Sequence, residues 1–196
     1  TIDQSLRFNT ADVPELLFKP SSTGNRKTWT MSLWAKRGSF SSTHQVIFEA
    51  RDGDSGSSDN IKWENEQLCV ILQDGTLGRL KSTAAFRDVS AWYHIVVAVD
   101  TTQVTNTNRI KVYVNGTQLT SFTGTNTYPS EDDDTRVNWS SSDHQFGNAR
   151  NPDNDHGLHG YLAEVHHIDG TALTPSSFGE TGDYGEWKPK EVSGLT

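Results

Sequence analysis

The chain has 196 residues and a net charge of −8, an acidic balance that excludes nucleic acid as a partner, because phosphate recognition needs a basic surface. Hydrophobic residues make up only 33%, yet six Trp, eight Phe and five Tyr exclude a disordered chain, and the length fits one β-sandwich domain with a sizeable core. No apolar run approaches the ~20 residues of a membrane-spanning helix, so no membrane insertion is expected, and the single cysteine, Cys69, leaves no intrachain disulfide.

Helical periodicity is nearly absent. Short β-type runs recur instead, separated by Gly, Ser, Asn, Asp and Thr, and this spacing predicts an all-β sandwich or barrel. Residues 5–8 form a short edge or terminal strand. Residues 29–36 alternate, with Trp29, Met31, Leu33 and Ala35 on one face and Thr30, Ser32, Trp34 and Lys36 on the other. A strand over 46–50 follows. Residues 61–63 and 68–72 make a hairpin through 64–67, and 77–81 follows the turn signal Asp74–Gly75. Cys69, inside the apolar run 68–72, reads as a buried, inert thiol.

The strongest strand spans 92–99 and is apolar on both faces, which predicts a central strand covered from two sides. His94 within it reads as a satisfied core histidine. Residues 109–114 lead into Asn115–Gly116, a favoured type I′ turn, and the partner strand begins near 118–122. A long acidic loop, 124–144, precedes a last apolar strand over 160–168. There Glu164 is expected as a buried carboxylate hydrogen-bonded to neighbouring backbone, since an unpaired one is costly. Thr174 as cap, Pro175 at the first helical position and Gly179 at the exit predict one short helix near the C-terminus. The polar tail 180–196 is expected as an extended strap, held by Tyr184 and Trp187, or as a linker towards a following domain. Residues 1–196 otherwise read as a single domain.

In this order, SLRFN at 5–9, TWTMSLWAKRG at 28–38, WYHIVVAVD at 92–100, RIKVYVNG at 109–116 and GLHGYLAEVHHIDGTALTPSSFGE at 157–180 resemble the laminin-G-like domains of the concanavalin A-like superfamily. The resemblance is strongest to those of tail and fibre proteins of bacteriophages, marine ones especially. The ending FGE…GEWKPKE at 178–191 is similar to the C-terminal signature of those phage modules. The resemblance implies a jelly-roll sandwich of two curved antiparallel sheets that bind ligands on a concave face and its rim loops. Many relatives bind sugars and several hold a structural Ca²⁺ near the rim. The fold itself hosts lectins, glycosidases, lyases and structural modules, so function must come from particular residues.

Glycosidases need two carboxyl groups across the scissile bond. The E-x-D-x-x-E string of the related hydrolases is absent, and so are the charged strands of the related lyases. Glu64 and Glu66 share a strand face but sit at a turn, where they read as solvated. The chain is therefore expected not to be an enzyme. Sugar recognition uses aromatic faces and planar polar groups, which singles out Trp63, Tyr128 and Trp139 with Asn148, Arg150 and Asp153. Trp29, Trp34 and Trp92 lie on strands and read as packing. Asn151, Asp153 and Asp155, followed by Gly157, have the alternating oxygen ligands of a Ca²⁺ loop, with an Asx-rich turn as the alternative. His156, His159, His166 and His167 cluster late in the chain, but His166 and His167 point to opposite faces of a strand, against a zinc site.

These features together predict a lectin-like receptor-recognition or adhesion module of a phage fibre or other extracellular surface protein. Its partner would be a cell-surface glycan or polysaccharide. The alternative is a structural or decoration domain contacting other virion or fibre subunits, a homotrimer included. A polysaccharide-degrading enzyme is the third reading.

Overall fold

In the computed structural model, which describes residues 2–9, 12, 14–40, 43–53, 56–149 and 156–194, strands follow one another along the chain. They are β1 (Leu6–Phe8), β2 (Leu16–Phe18), β3 (Thr28–Arg37), β4 (His44–Asp52), β5 (Ser58–Glu64), β6 (Gln67–Leu72) and β7 (Gly78–Ala85). After them come β8 (Tyr93–Asp100), β9 (Ile110–Val114), β10 (Thr117–Gln118), β11 (Ser142–Phe146), β12 (Gly160–Asp169), β13 (Gly179–Thr181) and β14 (Trp187–Pro189). Two six-stranded antiparallel sheets face each other, ordered β1-β12-β3-β8-β9-β10 and β2-β11-β4-β5-β6-β7, while β13 and β14 pair separately.

The alternation read in residues 29–36 is realised. Trp29, Met31, Leu33 and Ala35 point into the core with Ile95, Val97 and Val99 of β8, against Phe48, Ile61, Trp63, Leu68, Val70 and Leu80 of the second sheet. On the outer face of the first sheet Val96, Ala98 and Tyr113 form a second cluster with Phe178, joined by Ile168, Leu173 and Val192. The central strand β8 is thus covered twice, once by the opposite sheet and once by the C-terminal segment. Asn115 and Gly116 adopt φ of 48° and 80°, as a type I′ turn requires.

The expected short helix is instead a three-residue 3₁₀ turn, Pro175–Ser177. Thr174 makes no side-chain cap; its hydroxyl meets that of Ser176. Phe178 must turn into the second cluster, and Gly179 already begins β13, which leaves no length for an α-turn. The strap is a hairpin held by Trp187 but not by Tyr184, which is 96% exposed at its tip. Glu164 also departs from expectation. A bulge in β12 shifts the register between Ala163 and His166, puts Glu164 at φ 46° and turns it out to solvent, 4.0 Å from the His166 ring. His166 and His167 do face opposite ways: His166 stacks on Phe178 outside, and His167 lies near Phe18 and Phe48 inside.

Within the two large sheets, β2 and β11 carry no strand signal in the sequence. In β11 the inward residues include Ser142 and His144, both fully buried. The His144 ring satisfies itself locally, with Nε2 accepting from the Asn138 backbone N–H and Nδ1 meeting the Ser142 carbonyl. Burial lowers its pKa to about 4.

Because Phe178 seals the outer face of β8 and Tyr184 touches nothing that needs sealing, the two aromatics should separate cleanly. Phe178→Ala should cost about 3–5 kcal/mol in urea unfolding, whereas Tyr184→Ala should stay within about 0.5 kcal/mol.

Candidate functional site

In β5, Ile61 and Trp63 enter the core, so Asn60, Lys62 and Glu64 point outward. Glu49 and Arg51 of β4, Cys69 of β6, Arg79 and Lys81 of β7 and Gln145 of β11 share that outer face of the second sheet. An open sheet face is ordinarily wet, yet Glu49 and Gln145 are each 3% exposed, and Asn60 and Cys69 are also buried. The face is recessed, and its charged groups and Gln145 satisfy one another, while the Asn60 Oδ1 has no hydrogen-bond partner among the described residues.

At one side Gln145 Nε2 donates to Glu49 Oε2 at 2.7 Å, and Arg51 lies 3.8 Å from the other oxygen. At the other side Glu64 accepts from Arg79 Nη2 through both oxygens, at 3.0 and 2.9 Å, and from Lys81 Nζ at 2.9 Å. Lys62 and His44 each stand 4.0 Å from Glu64, and His44 Nδ1 is 3.2 Å from His156 Nε2. Burial alone would raise the Glu64 pKa, but the hydrogen bonds from Lys81 and Arg79 and their charges outweigh it and hold the carboxyl at about 2. Burial lowers Lys62 and pushes the Cys69 thiol up to about 11, so that thiol is inert, as its apolar setting in the sequence implied.

Register fixes the spacing of the two buried carboxylates. Glu49 pairs with Asn60, and Glu64 stands four residues further along β5, or about 13 Å at a strand rise of ~3.3 Å per residue. Glycosidase carboxyls stand roughly 5–9.5 Å apart. The arrangement offers planar amide, carboxylate and guanidinium groups in a row, suited to gripping a chain of hydroxyls.

The aromatic residues singled out from the sequence do not converge. Trp63 is fully buried against Phe86 and Tyr93, with the Arg37 guanidinium 5.3 Å from its ring centre, so it cannot present a face to a sugar. Its strand parity points it inward with Ile61. Asn148 is buried as well, its Oδ1 accepting from the Ala149 N–H. Trp139 is half-buried, with the guanidinium groups of Arg26 and Arg136 over its ring at 4.5 and 4.9 Å. Tyr128 packs partly buried on the main core, next to Thr127, which bridges to Arg79 at the β7 edge. Trp139 and Asn148 flank opposite ends of β11, a five-residue strand about 17 Å long. Arg150, Asn151, Asp153 and Asp155 lie outside the described residues, so the structure says nothing of them. Among the described residues no group of three or more His, Cys, Asp or Glu is placed to hold a metal.

The acidic loop before β11 is a lashing across the end of the sandwich. Thr135 receives the Trp29 indole N–H, Arg26 Nε reaches the Thr135 carbonyl, and the Arg109 guanidinium is caged by the carbonyls of Gln103, Val104 and Pro129. Asp59 is buried below it; burial raises its carboxyl to about 6, against the backbone N–H groups of Gln73, Arg136 and Val137.

A family model described as the concanavalin A-like lectin/glucanases superfamily matches residues 11–177. No curated protein matches the chain in sequence. Among solved structures the fold is similar to domains LG4–5 of the mouse laminin α1 chain, with TM-score 0.59, 13% identity, and 98% of this chain and 47% of that one covered. It is similar to the SAP-like pentraxin of Limulus polyphemus, with TM-score 0.55, 14% identity, and coverage of 87% and 74%. It is also similar to domain 4 of the arabinanase AbnA from Geobacillus stearothermophilus, solved in complex with arabinotriose, with TM-score 0.50, 19% identity, and coverage of 78% and 65%.

The Glu64 carboxyl is depressed from 4.5 to about 2, so its stabilising contribution is complete above pH 4.5 and is lost as pH falls towards 2. Glu64→Gln should therefore lower the melting temperature at neutral pH and flatten its fall between pH 4.5 and 2, as read by thermal melting across that range.

Proposed function

We propose that this chain, which belongs to the concanavalin A-like lectin/glucanases superfamily, is a glycan-binding module that uses the recessed outer face of its second sheet. The observation that carries the reading is the pre-arranged, outward-facing row of Gln145, Glu49, Asn60, Glu64 and Arg79, of which the first three are buried and the last two half-buried. Groups already fixed by one another lose little entropy on binding, and a hydroxyl can both donate to the carboxylates and accept from the cations. The arabinotriose held by the similar arabinanase domain supports the same ligand class.

The module binds rather than cleaves. The two glutamates are offset by four residues, about 13 Å of backbone, along the sheet, and Glu64, ion-paired and ionised from about pH 2 upward, has no proton to give as a general acid. As a biological setting we place it in receptor recognition or adhesion, on a phage fibre or another extracellular surface protein.

A glycan-array screen of the folded domain, run with Ca²⁺ and again with EDTA, tests this. A specific hit is expected, weakened at least about tenfold by Glu64→Gln or Arg51→Ala, the loss typical of one charge-assisted hydrogen bond. A blank in both buffers, or hits that ignore both variants, would refute it. The Ca²⁺ reading of Asn151, Asp153 and Asp155 is judged in the same screen: loss of the hit in EDTA supports it, and an unchanged hit removes it.

A second reading has its own observation. Leu6, Leu16, Leu17, Phe18 and Val165 are all exposed along the β1/β2 margin of the sandwich, where both sheets end. An apolar sheet edge of this kind suits protein contacts with fibre or virion subunits, further copies of the chain included.

A further inference from the structure

The first sheet carries an aromatic groove on its outer face that the recessed face of the second sheet does not explain. Trp34 of β3, Trp92 just before β8, and Trp187 of β14 line a groove of about 450 Å³ with Glu186, Lys188 and Pro189. That volume lies within the roughly 300–1,000 Å³ of small-ligand sites.

Its walls are fixed from behind. Trp34 and His94 are cross-strand partners whose rings stack at 4.9 Å and 23°. The Trp187 indole N–H donates to His94 Nδ1 at 2.9 Å, and His94 Nε2 meets the Ser32 hydroxyl at 2.9 Å. Trp187 is seated by two glycines: a Cβ at Gly116 or at Gly179 would come within 2.7 Å of its ring. The indole faces are thus presented with little freedom to lose.

One polar atom in these walls is left over. Trp34 is 5% exposed, and its Nε1–H has no hydrogen-bond partner among the described residues. That N–H is a buried donor without an acceptor, an unsatisfied polar group in the wall behind the groove. At the open rim Glu186 offers acceptors, and Lys188, otherwise 3.5 Å from Glu180 in an exposed pair, offers donors.

We infer that this groove is a second binding site, separate from the recessed face, and that it takes a sugar ring of an oligosaccharide. A pyranose has an apolar C–H face for the Trp92 and Trp187 indoles and hydroxyls that can donate to Glu186 and accept from Lys188. A quaternary ammonium would suit the aromatics but is opposed by Lys188. A polyproline peptide would suit the indoles and the donors but leaves the Glu186 carboxylate unused.

The test follows the indole N–H signals of the six tryptophans by ¹H–¹⁵N NMR while ¹⁵N-labelled protein is titrated with cellotriose, maltotriose, chitotriose and, separately, a proline decamer. At least one trisaccharide should shift the Trp34 and Trp92 signals and leave those of the core residues Trp29 and Trp63 in place. Trp92→Ala, at a half-exposed position, should weaken that binding about tenfold, the scale of one lost stacking contact, and Lys188→Ala should weaken it as well. Arg51→Ala, which acts on the recessed face, should leave it unchanged, so failure of the earlier reading and failure of this one are told apart. Silence of the Trp34 and Trp92 signals with all three sugars, shifts confined to other tryptophans, or a response to the proline decamer alone would overturn the inference.

Discussion

The pairing of β3 with β8 sets the terms for the rest of the molecule. Between them these strands put Trp29, Met31, Leu33, Ile95, Val97 and Val99 on one face and Val96 and Ala98 on the other. Strand β8, apolar on both sides, must be covered on both sides, at roughly 25 cal/mol for each Å² of apolar surface removed from water. The second sheet supplies one cover. The C-terminal segment supplies the other through Leu173, Phe178 and Val192. Residues between Ile168 and Val192 pack on the outer face of the first sheet.

The two sheets are consequently unequal. Part of the outer face of the first is covered by the C-terminal segment, and the end near Trp34 and Trp92 stays open. The outer face of the second has no such cover among the described elements and carries charge instead. There Glu49, Glu64, Arg51, Arg79, Lys62 and Lys81 form pairs at low exposure. The pairs hold planar groups in place for a ligand. At Glu64 the attraction outweighs desolvation, so the pairing also stabilises the fold.

Where the sequence spoke through apolar alternation, it was legible. Residues 29–36, 61–63 and 68–72 fall within strands, 92–99 and 109–114 do so from their second residue on, and Asn115–Gly116 makes the turn its identity implies. Strand β11 was silent because its inward positions are Ser142, His144 and Phe146, two of them polar, with the His144 ring held by hydrogen bonds rather than by apolar neighbours. The site was harder to read for the same reason. Ser58, Asp59 and Asn60 look like loop, so β5 seemed to start at Ile61 and Glu64 seemed to belong to a turn. Once β5 is seen to begin at Ser58, Asn60, Lys62 and Glu64 fall on one face opposite Trp63. That parity would also have placed Trp63 in the core. Loop aromatics were a poor guide because the acidic loop is a lashing, and Trp139 is already engaged by two arginines.

The central claim is that the recessed face of the second sheet, rather than the loops at either end, receives a glycan. A crystal structure of the domain with an array-selected glycan tests it most directly. The account predicts sugar hydroxyls within hydrogen-bond distance of Glu49, Gln145 or Glu64, and of Arg79 or Lys81. A glycan seated only against Trp139 and the acidic loop, with that sheet face untouched, would contradict it.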